Sequence, residues 1–538
     1  MAPSASRLLD IPEDVRIRIL LALDTISLLR CKRLCRDIRD LLNNAIEVEY
    51  KLALARAGRV ELGQSRLCIA DCLRALRTLC TTVFPLNALP FILLPDEVIP
   101  HWPGVTDGFI PYLANYRLDL VLWRPPLPLC DPPTGQRKSV PAVMSHISES
   151  RNVPKAVMGT LTVDIAQDLL VFSRPARPEI SPPECFVYSI SEGRPHSAAG
   201  PDPFRIAFDP VCTEGGFNTI EDLQIFGDVV AWSITDDQKS AVHVWNWKTS
   251  VLIWHQQSRS RGSCCVVISP SLVVLVTAQA VSVYEFDSSA ERRPPPASLA
   301  TALCVLELPR LKTSRFAPYV RAYMQFPPSA PAQPGDQTLA FGLDPARTVL
   351  TVTLLQSIDV EGGVVSERYA IFVPLSTLSA RITATPALAG GHTGTGSANQ
   401  RRRTVRWAEW GPGGTRVVRF AYISHISVMG SRCAFMLNED HSGALHVVLF
   451  DVRRGVGDET TGQRLEDLHD ELFDAAEVLQ DTLAFAEEIR TTFPVEVVRK
   501  TCQGLSGYLV QDGVAISHQA WGMQGALGEQ WYDPRGWL

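Results

Sequence analysis

The sequence of 538 residues lacks long apolar runs, an excess of positive charge and a recognisable secretion signal. No segment approaches the about 18 uninterrupted apolar residues of a membrane-spanning helix. A net charge of −6 argues against nucleic-acid binding through bulk charge. The opening residues MAPSASRLLDIPEDV do not have the charged-then-apolar layout of a signal peptide. We therefore expect a cytosolic or nuclear protein that binds neither membrane nor nucleic acid.

Motifs of catalysis and cofactor binding are also missing. The glycine-rich stretch GGHTGTG at 390–396 has no clear strand before it, no helix after it and no GK[ST], so we interpret it as a flexible loop. Neither HExxH nor G-x-S-x-G occurs, and no nucleophile, base and orienting group are recognisable together. We predict a non-enzyme without cofactor or metal. A catalytic site assembled from distant loops stays open as an alternative.

The 13 cysteines are scattered and include no CxxC pair. Cys31 and Cys35 are four residues apart, as are Cys68 and Cys72, and this spacing puts two side chains on one face of a helix. Each pair could supply half of a metal site. Both pairs lie among leucines, however, which favours packing in a core. Without a secretion signal, we expect the thiols to be reduced.

Residues 8–80 are predicted to be helical. A first helix starts near Asp10, a second starts at Thr25 or Ser27, and a third runs from Cys31 onward. One apolar face of the third helix would consist of Leu34, Cys35, Ile38, Leu41 and Leu42. Further helices are expected at 43–57 and 64–80, separated by Gly58 and Gly63.

After about residue 81 prolines become frequent, and short β-rich runs follow one another, such as DLQIFGDVVAWSI at 222–234 and ALHVVLFDV at 444–452. Loose repeats end in runs such as VWNW, which looks like the closing strand of a WD-type blade. About 400 residues of such runs exceed one sandwich, whereas four-stranded propeller blades accommodate them. We predict an α+β multidomain chain with a six- or seven-bladed β-propeller. The alternative is an irregular multi-domain β protein.

Two loops and one insertion are predicted within the β region. The loops lie at 388–403 and 454–464, and an acidic amphipathic insertion lies near 458–490. Leucines at helical spacing in this insertion are expected to pack on the propeller, with partner binding as the alternative: Leu465, Leu468, Leu472, Leu479 and Leu483. Tryptophans of the β region are expected to serve packing before target contacts: Trp123, Trp232, Trp245, Trp247, Trp254, Trp407 and Trp410.

The beginning of the chain resembles the F-box, the three-helix module of ubiquitin-ligase receptors. The family pattern is Leu/Ile-Pro-x-Glu, then Ile-Leu, Leu-Asp, Leu-Leu and Val-Cys-Arg-x-Trp. Residues 8–45 offer corresponding elements in order: Ile11-Pro12-Glu13, Val15, Ile19-Leu20, Leu23-Asp24, Leu28-Leu29 and Leu34-Cys35-Arg36-Asp37-Ile38. Ile38 stands where many F-boxes carry tryptophan, so an adaptor contact there would be weaker or repacked.

The layout as a whole is similar to a large set of F-box proteins of mushroom-forming fungi. The phrases that carry this likeness are YKLALARAGRVE, LTVDIAQDLLVF and VRWAEWGPGGTRVVRF. The resemblance implies an F-box at 1–45, a helical linker at 46–80 and a propeller-like domain at 81–538.

In function, the resemblance implies a substrate receptor of an SCF-type ubiquitin ligase, which docks on a Skp-type adaptor and through it on a cullin and a RING subunit. The propeller would recruit an unknown target protein. The implied adaptor-binding residues are Ile11, Pro12, Glu13, Val15, Ile19, Leu20, Leu23, Leu28, Leu29, Leu34, Cys35 and Ile38.

The small size of the helical segment independently favours a docking surface at residues 8–45. Three short helices cannot bury enough apolar surface to be stable alone, so some of these side chains should stay exposed. An exposed apolar patch marks a binding surface. Two alternatives remain at this point: a propeller scaffold with a purely structural helical cap, and an enzyme built on a propeller.

Overall fold

The computed structural model describes part of the chain, and the described residues form a helical block followed by a β region. They are residues 11–61, 68–82, 91–93, 109–114, 119–124, 136–140, 160–174, 184–199, 219–235, 240–258, 263–288, 302–314, 318–325, 341–361, 363–384, 403–420, 425–438, 444–452, 473–474, 478–479, 482–486, 488–491, 493, 495–503, 506–510 and 513–517. The predicted loops at 388–403 and 454–464 lie almost entirely outside them.

The helical block spans residues 11–82. Its described helices are α1 (Glu13–Leu21), α2 (Thr25–Cys31), α3 (Arg36–Asn44), α4 (Ile46–Ala57) and α5 (Ile69–Thr82). A small core holds the first four together and consists of Leu20, Leu28, Ile38, Leu41, Leu42, Ala45, Val48 and Leu52. So short a segment can enclose only a small apolar core.

The starts of the first two helices follow from local hydrogen bonds. Pro12 precedes α1 with extended backbone, and its carbonyl accepts from the amides of Val15 and Arg16, so Pro12 lies before the first turn rather than inside it. The Asp24 carboxylate accepts from the amide and hydroxyl of Ser27 at 2.9 and 2.6 Å. Asp24 therefore caps α2, which begins at the predicted Thr25. The predicted start residue Asp10 lies outside the described residues.

The predicted helix from Cys31 onward is wrong in its bounds. The chain leaves α2 after Cys31, makes a turn in which the Leu34 amide bonds to the Cys31 carbonyl, and re-enters helix at Arg36. Cys35 is extended, with φ −154° and ψ 169°. This break removes Leu34 and Cys35 from the predicted apolar face, although Ile38 remains buried.

The β region contains successive antiparallel sheets, and the β-rich runs quoted at 222–234 and 444–452 lie in their strands. The first sheet contains β3 (Ile110–Ala114), β4 (Asp119–Arg124) and β5 (Gln136–Val140). The second contains β6 (Leu161–Asp164), β7 (Leu169–Arg174) and β8 (Glu184–Ser189). The third contains β9 (Thr219–Phe226), β10 (Val229–Thr235), β11 (Ser240–Asn246) and β12 (Val251–Ser258).

The later sheets follow the same order. The fourth contains β13 (Cys264–Ser269), β14 (Leu272–Val276), β15 (Ala280–Glu285) and β16 (Cys304–Glu307). The fifth contains β17 (Tyr319–Tyr323), β19 (Val349–Val360), β20 (Gly363–Pro374) and β22 (Arg416–Phe420). The sixth contains β23 (His425–Met429), β24 (Arg432–Asn438), β25 (Ala444–Asp451) and β29 (Glu496–Gln503), and the seventh β30 (Ser506–Val510) and β31 (Gly513–Ser517).

Short strands from elsewhere extend several sheets. Three pair at sheet edges: β2 (Phe91–Leu93) with β31, β21 (Arg403–Val405) with β16, and β26 (Phe473–Asp474) with β22. Two form small ladders of their own: β1 (Arg59–Glu61) with β18 (Phe341–Leu343), and β27 (Val478–Leu479) with β28 (Ile489–Arg490). Two helices, α6 (Leu375–Thr383) and α7 (Trp407–Gly414), connect β20 to β22 around β21.

Neighbouring sheets pack face to face, and a separate core fills each space from the first sheet to the sixth. In β10, Val230 and Trp232 face the second sheet, whereas Val229 and Ala231 face the fourth. Because side chains alternate along a strand, a strand buried on both faces needs the continuous apolar run that the sequence has there. This face-to-face series of antiparallel sheets is the arrangement found in propeller blades.

The described part of the acidic insertion packs on the β region, as predicted, but it forms short strands and no helix. β26 lies along the outer edge of the fifth sheet. Leu479 and Phe485 enter the core between the fourth and fifth sheets, while Leu483 stays exposed. Leu465, Leu468 and Leu472 lie outside the described residues.

The prediction that the tryptophans pack is confirmed: Trp245 is partly buried and the other six are buried. The clearest case is α7, whose sequence WAEWGPGG contains residues that disfavour helix. The indole of Trp410 donates to the Glu307 carbonyl at 2.8 Å. A Cβ at Gly411 would lie 2.4 Å from the ring of Trp407, so only glycine fits there.

The packing prediction for the paired cysteines holds only in part. Cys72 is buried and Cys31 partly buried, but Cys35 and Cys68 are exposed. The break between α2 and α3 also separates Cys31 from Cys35, so these two do not share a helix face.

Candidate protein-interaction surface

Helix α1 has apolar side chains on two of its sides, and the charged residues Glu13, Asp14 and Arg18 are exposed beside them. Leu20 faces the core of the block. On the outside, Pro12, Val15, Ile19 and Ala22 are all exposed, with Val15 at 40% and Ile19 at 43% of their full accessibility. The spacing of Val15, Ile19 and Ala22 by four and three residues aligns them along one face of the helix, and Pro12 lies just before its first turn. We call these four residues the outer stripe of α1; nothing in the described residues covers it.

The structure divides the predicted adaptor-binding residues into three groups. The exposed ones are Pro12, Glu13, Val15, Ile19, Leu34 and Cys35. The partly buried ones are Ile11, Leu23 and Leu29. The buried ones are Leu20, Leu28 and Ile38, which form part of the core of the block and cannot reach a partner while it is folded. Ile38, at the position of the usual tryptophan, therefore acts here as a core residue.

Lys51 on α4 holds the end of α1 in place. Its ammonium group donates to the carbonyls of Leu21 and Leu23, each at 2.6 Å. A cation at these unpaired carbonyls satisfies them and opposes the partial negative charge of the helix end. The outer stripe is thus fixed relative to α4. The sequence offered no signal for this contact because a lysine on a helix is ordinarily a solvated residue.

Helix α4 is packed against α5 behind the stripe. Tyr50 is buried there, and this burial, together with the neighbouring Cys72 thiol, raises the pKa of its phenol. The side chains of Arg77 on α5 and Glu49 on α4 form an ion pair at the surface. The packing of α4 against α5 makes α4 a stable support for the first three helices, and the exposed ion pair adds little to that support.

A short ladder attaches the helical block to the β region. Gly58 ends α4 in the left-handed conformation, with φ 62°, and the chain continues directly as β1, which pairs with β18. The Asp344 amide donates to the Gly58 carbonyl at 3.0 Å, and Arg347 donates to the Ala55 carbonyl at 2.8 Å. The predicted linker is therefore joined to the sheets by main-chain hydrogen bonds.

The opposite end of the fifth sheet carries a two-stranded ribbon, whose base is buried at Gln356 and Glu367. Strand β19 starts beside the β1–β18 ladder, where the Val349 amide bonds to the Gly430 carbonyl. It then runs for 12 residues, about 40 Å at the rise of an extended strand. Residues 356–367 of β19 and β20 pair with each other beyond the pairings with β17 and β22. Val364 and Val365 are exposed near the tip of this ribbon.

The described residues contain no group of three or more His, Cys, Asp or Glu side chains placed to hold a metal ion. Burial raises the pKa of the Cys185 and Cys433 thiols, so these groups stay protonated and unreactive. Within the same residues, no helix is both long and apolar enough to cross a membrane.

Comparison with known proteins adds only distant likenesses. The sequence matches no protein-family model and no curated protein. The propeller of Dos1 is 8% identical, and the alignment covers 51% of this chain and 56% of that chain with a TM-score of 0.25. The WD40 domain of SCAP from fission yeast is 10% identical over 67% of this chain and 84% of that chain, with a TM-score of 0.27. Both scores are low, so the fold description rests on the sheet topology, and the F-box stays a prediction.

Proposed function

We propose that this protein is the substrate receptor of an SCF-type ubiquitin ligase. In this proposal the helical block is an F-box, and the outer stripe of α1 docks on a Skp-type adaptor that links to a cullin and a RING subunit. The β region holds a target protein. The chain performs no chemistry itself, because bringing a lysine close to the charged ligase complex is an effect of local concentration. Such a role belongs to the cytosol or the nucleus.

The outer stripe is the observation that carries the proposal. An isolated exposed valine or isoleucine needs no explanation, but α1 presents an aligned apolar row on the side away from its own core. Full burial of such a side chain is worth about 1.5–3 kcal/mol, so covering two half-exposed ones would favour binding by roughly 2 kcal/mol. The order of F-box motif elements in the sequence is the reason for proposing a Skp-type adaptor as the partner.

The β region is proposed to be a closed propeller with seven blades, one for each successive sheet. Two observations support closure. The first strands β6, β9, β13 and β17 contact one another in that order, as inner strands of adjacent blades do. In addition, β2, which precedes the first sheet in the chain, pairs with β31 of the seventh. Such a pairing joins the beginning of the β region to its end, and a closed ring of blades leaves fewer sheet edges exposed.

The target is proposed to bind at the end of the β region that carries the ribbon. The β1–β18 ladder attaches the helical block at the other end of the fifth sheet. An adaptor bound to α1 would therefore leave the ribbon end accessible. Val364 and Val365 make the ribbon the part of the described β region with the most exposed aliphatic surface.

Calorimetric titration of the full-length protein with a Skp-type adaptor from a mushroom-forming fungus tests the docking proposal. We expect wild type to bind and the double variant Val15→Asp/Ile19→Asp to bind about a hundredfold more weakly, because two charges would enter a desolvated contact. The thermal unfolding temperature should stay close to that of wild type, since both side chains are already exposed.

Matched controls make the result specific. Val365 is exposed to the same 40% as Val15, and Ile69 on α5 is exposed to 37%, close to Ile19. The double variant Val365→Asp/Ile69→Asp should bind the adaptor like wild type. Equal losses in both double variants, or no binding by wild type, would reject docking through the outer stripe.

A scaffold with a structural helical cap is the second candidate. The observation that favours it is the β1–β18 ladder, because main-chain pairing is how a cap is fastened to a sheet. It predicts that no adaptor binds and that the outer-stripe variants behave like wild type in every interaction. The same titration therefore separates the two candidates.

A further inference from the structure

The turn between α2 and α3 combines the most exposed large apolar side chain of the described residues with several positive charges. Leu34 is exposed to 69%. Around it in sequence stand Arg30, Lys32, Arg33, Arg36 and Arg39, all of which, except the half-buried Lys32, are exposed. We call Leu34 and these five residues the basic turn. It exists because the helix breaks after Cys31, which turns Leu34 outward.

Three of these charges have no partner among the described residues. Lys32 donates to Asn43 at 2.9 Å, and Arg39 donates to the Lys32 carbonyl at 3.0 Å, so these two side chains are tied to the block itself. Arg30, Arg33 and Arg36 make no such bond and no ion pair within the described part of the chain. Elsewhere on the surface, Arg74 and Arg77 pair with carboxylates.

This concentration of charge runs against the rest of the molecule. The chain carries a net charge of −6, yet residues 30–40 contain five basic residues and only Asp37 and Asp40 on the acidic side. Unpaired like charges close together repel one another and cost stability, so this arrangement does not serve the fold of the block. It does provide attraction and orientation toward a surface of opposite charge.

We propose that the basic turn is the charged part of the docking surface, and that the partner surface it meets is acidic with an apolar recess for Leu34. This inference rests on the proposed adaptor docking. It divides the surface into two parts: the outer stripe of α1 supplies apolar contact, and the basic turn supplies charge complementarity. The basic turn fits a protein partner better than a nucleic acid. Its central leucine can enter an apolar recess of a protein but makes no favourable contact with phosphate groups.

Salt-dependent titration of full-length protein with the same adaptor tests the inference. The triple variant Arg30→Gln/Arg33→Gln/Arg36→Gln should bind about tenfold more weakly than wild type at about 50 mM salt. The difference should shrink to less than about twofold at about 500 mM salt, where screening removes most of the attraction. Leu34→Ser should weaken binding about equally at both salt concentrations, because its contact is apolar.

The control variant removes the same net charge elsewhere. Arg74, Arg77 and Arg490 have side chains exposed to 75%, 60% and 68%, so Arg74→Gln/Arg77→Gln/Arg490→Gln matches the triple variant in charge and exposure. Its affinity should fall by no more than about twofold at low salt. If wild type binds and both triple variants lose affinity equally, or neither does, the basic turn has no docking role while the adaptor proposal stands.

Two further outcomes are informative. Failure of wild type to bind the adaptor at either salt concentration would reject the proposed function, and this inference with it. A duplex oligonucleotide serves as a second probe: if it binds wild type, and the triple variant loses that binding while keeping full affinity for the adaptor, the turn recognises nucleic acid instead. Thermal unfolding of each variant confirms that the block remains folded.

Discussion

The helical block and the β region use their apolar residues in opposite ways. In the β region, six of the seven described tryptophans are buried, and long apolar strands are covered on both faces. The described helical block is far smaller, yet it holds five of the eight large apolar side chains that are exposed among the described residues: Val15, Ile19, Leu34, Ile46 and Ile69. Apolar side chains are thus largely enclosed in the β region, whereas several are left exposed in the helical block.

The difference follows from size and from connectivity. Successive sheets cover one another, so each new strand finds apolar surface on both sides. Four short helices enclose only one small core, so an apolar residue on their outer side stays exposed to solvent. Exposed apolar side chains on the outer side of α1 do not stabilise the block, and the proposed docking gives them a role.

The largest expected effect comes from Leu28, which is completely buried in the core of the block. Leu28→Asp should destabilise the helical block by about 5 kcal/mol, because it removes apolar contacts and buries a carboxylate. Hydrogen exchange should become fast throughout residues 13–57 while the strands of the third and fourth sheets remain protected. Loss of protection in those sheets as well would show that the two regions fold as one unit.

The next effect concerns a buried ion pair in the sixth sheet. Asp451 accepts hydrogen bonds from Ser431 at 3.0 Å and from Arg432 at 3.2 Å, and both members of the ion pair are almost fully buried. Asp451→Asn should lower the free energy of unfolding by about 4 kcal/mol, since it leaves the guanidinium charge buried without its counter-ion. Urea denaturation followed by tryptophan fluorescence measures this change.

The pair between Lys248 and Asp228 is the matched control for that variant. Its atoms are 2.6 Å apart, but the two side chains are 41% and 49% exposed. Asp228→Asn should therefore cost less than about 1 kcal/mol. Similar losses of unfolding free energy in the two variants would contradict the interpretation that buried contacts stabilise the β region more than exposed ones.

The smallest of the three effects tests the close packing of α7. Gly411→Ala should cost about 3 kcal/mol, because the added methyl group would overlap the ring of Trp407. Gly413→Ala, two residues along the same helix, meets nothing within 4 Å and should be neutral or slightly stabilising. Thermal unfolding of both variants gives the comparison, and equal behaviour would mean that the Trp407 ring can move aside freely.

Much of the β region could be predicted from the sequence because its signals are local. Alternating and continuous apolar runs identify the strands, and buried tryptophans follow from ordinary hydrophobicity. The ladder of β1 with β18 was missed because three residues, Arg59–Glu61, carry no pattern and pair with a strand far away in the chain. Helix α7 was missed because Pro412 and its glycines disfavour helix, and only the packing of Trp407 and Trp410 overrides that preference.

The candidate interaction surface was only partly predictable. The motif order led to the helical block, and half of the twelve residues that it named are exposed there. It could not separate Leu28, which is buried, from Val15, which is exposed, since both occupy apolar positions in short helices. The break after Cys31, which exposes Leu34 among the arginines, depends on the packing of α3 rather than on helical periodicity.

Hydrogen exchange of the full-length protein with and without a Skp-type adaptor tests the central claim most directly. We expect the adaptor to slow exchange within residues 12–22 and 30–39, and to leave exchange in the ribbon at 356–367 unchanged. Protection confined to the β region, or no protection anywhere at saturating adaptor, would contradict the claim that the open apolar surface of the helical block is where this protein docks.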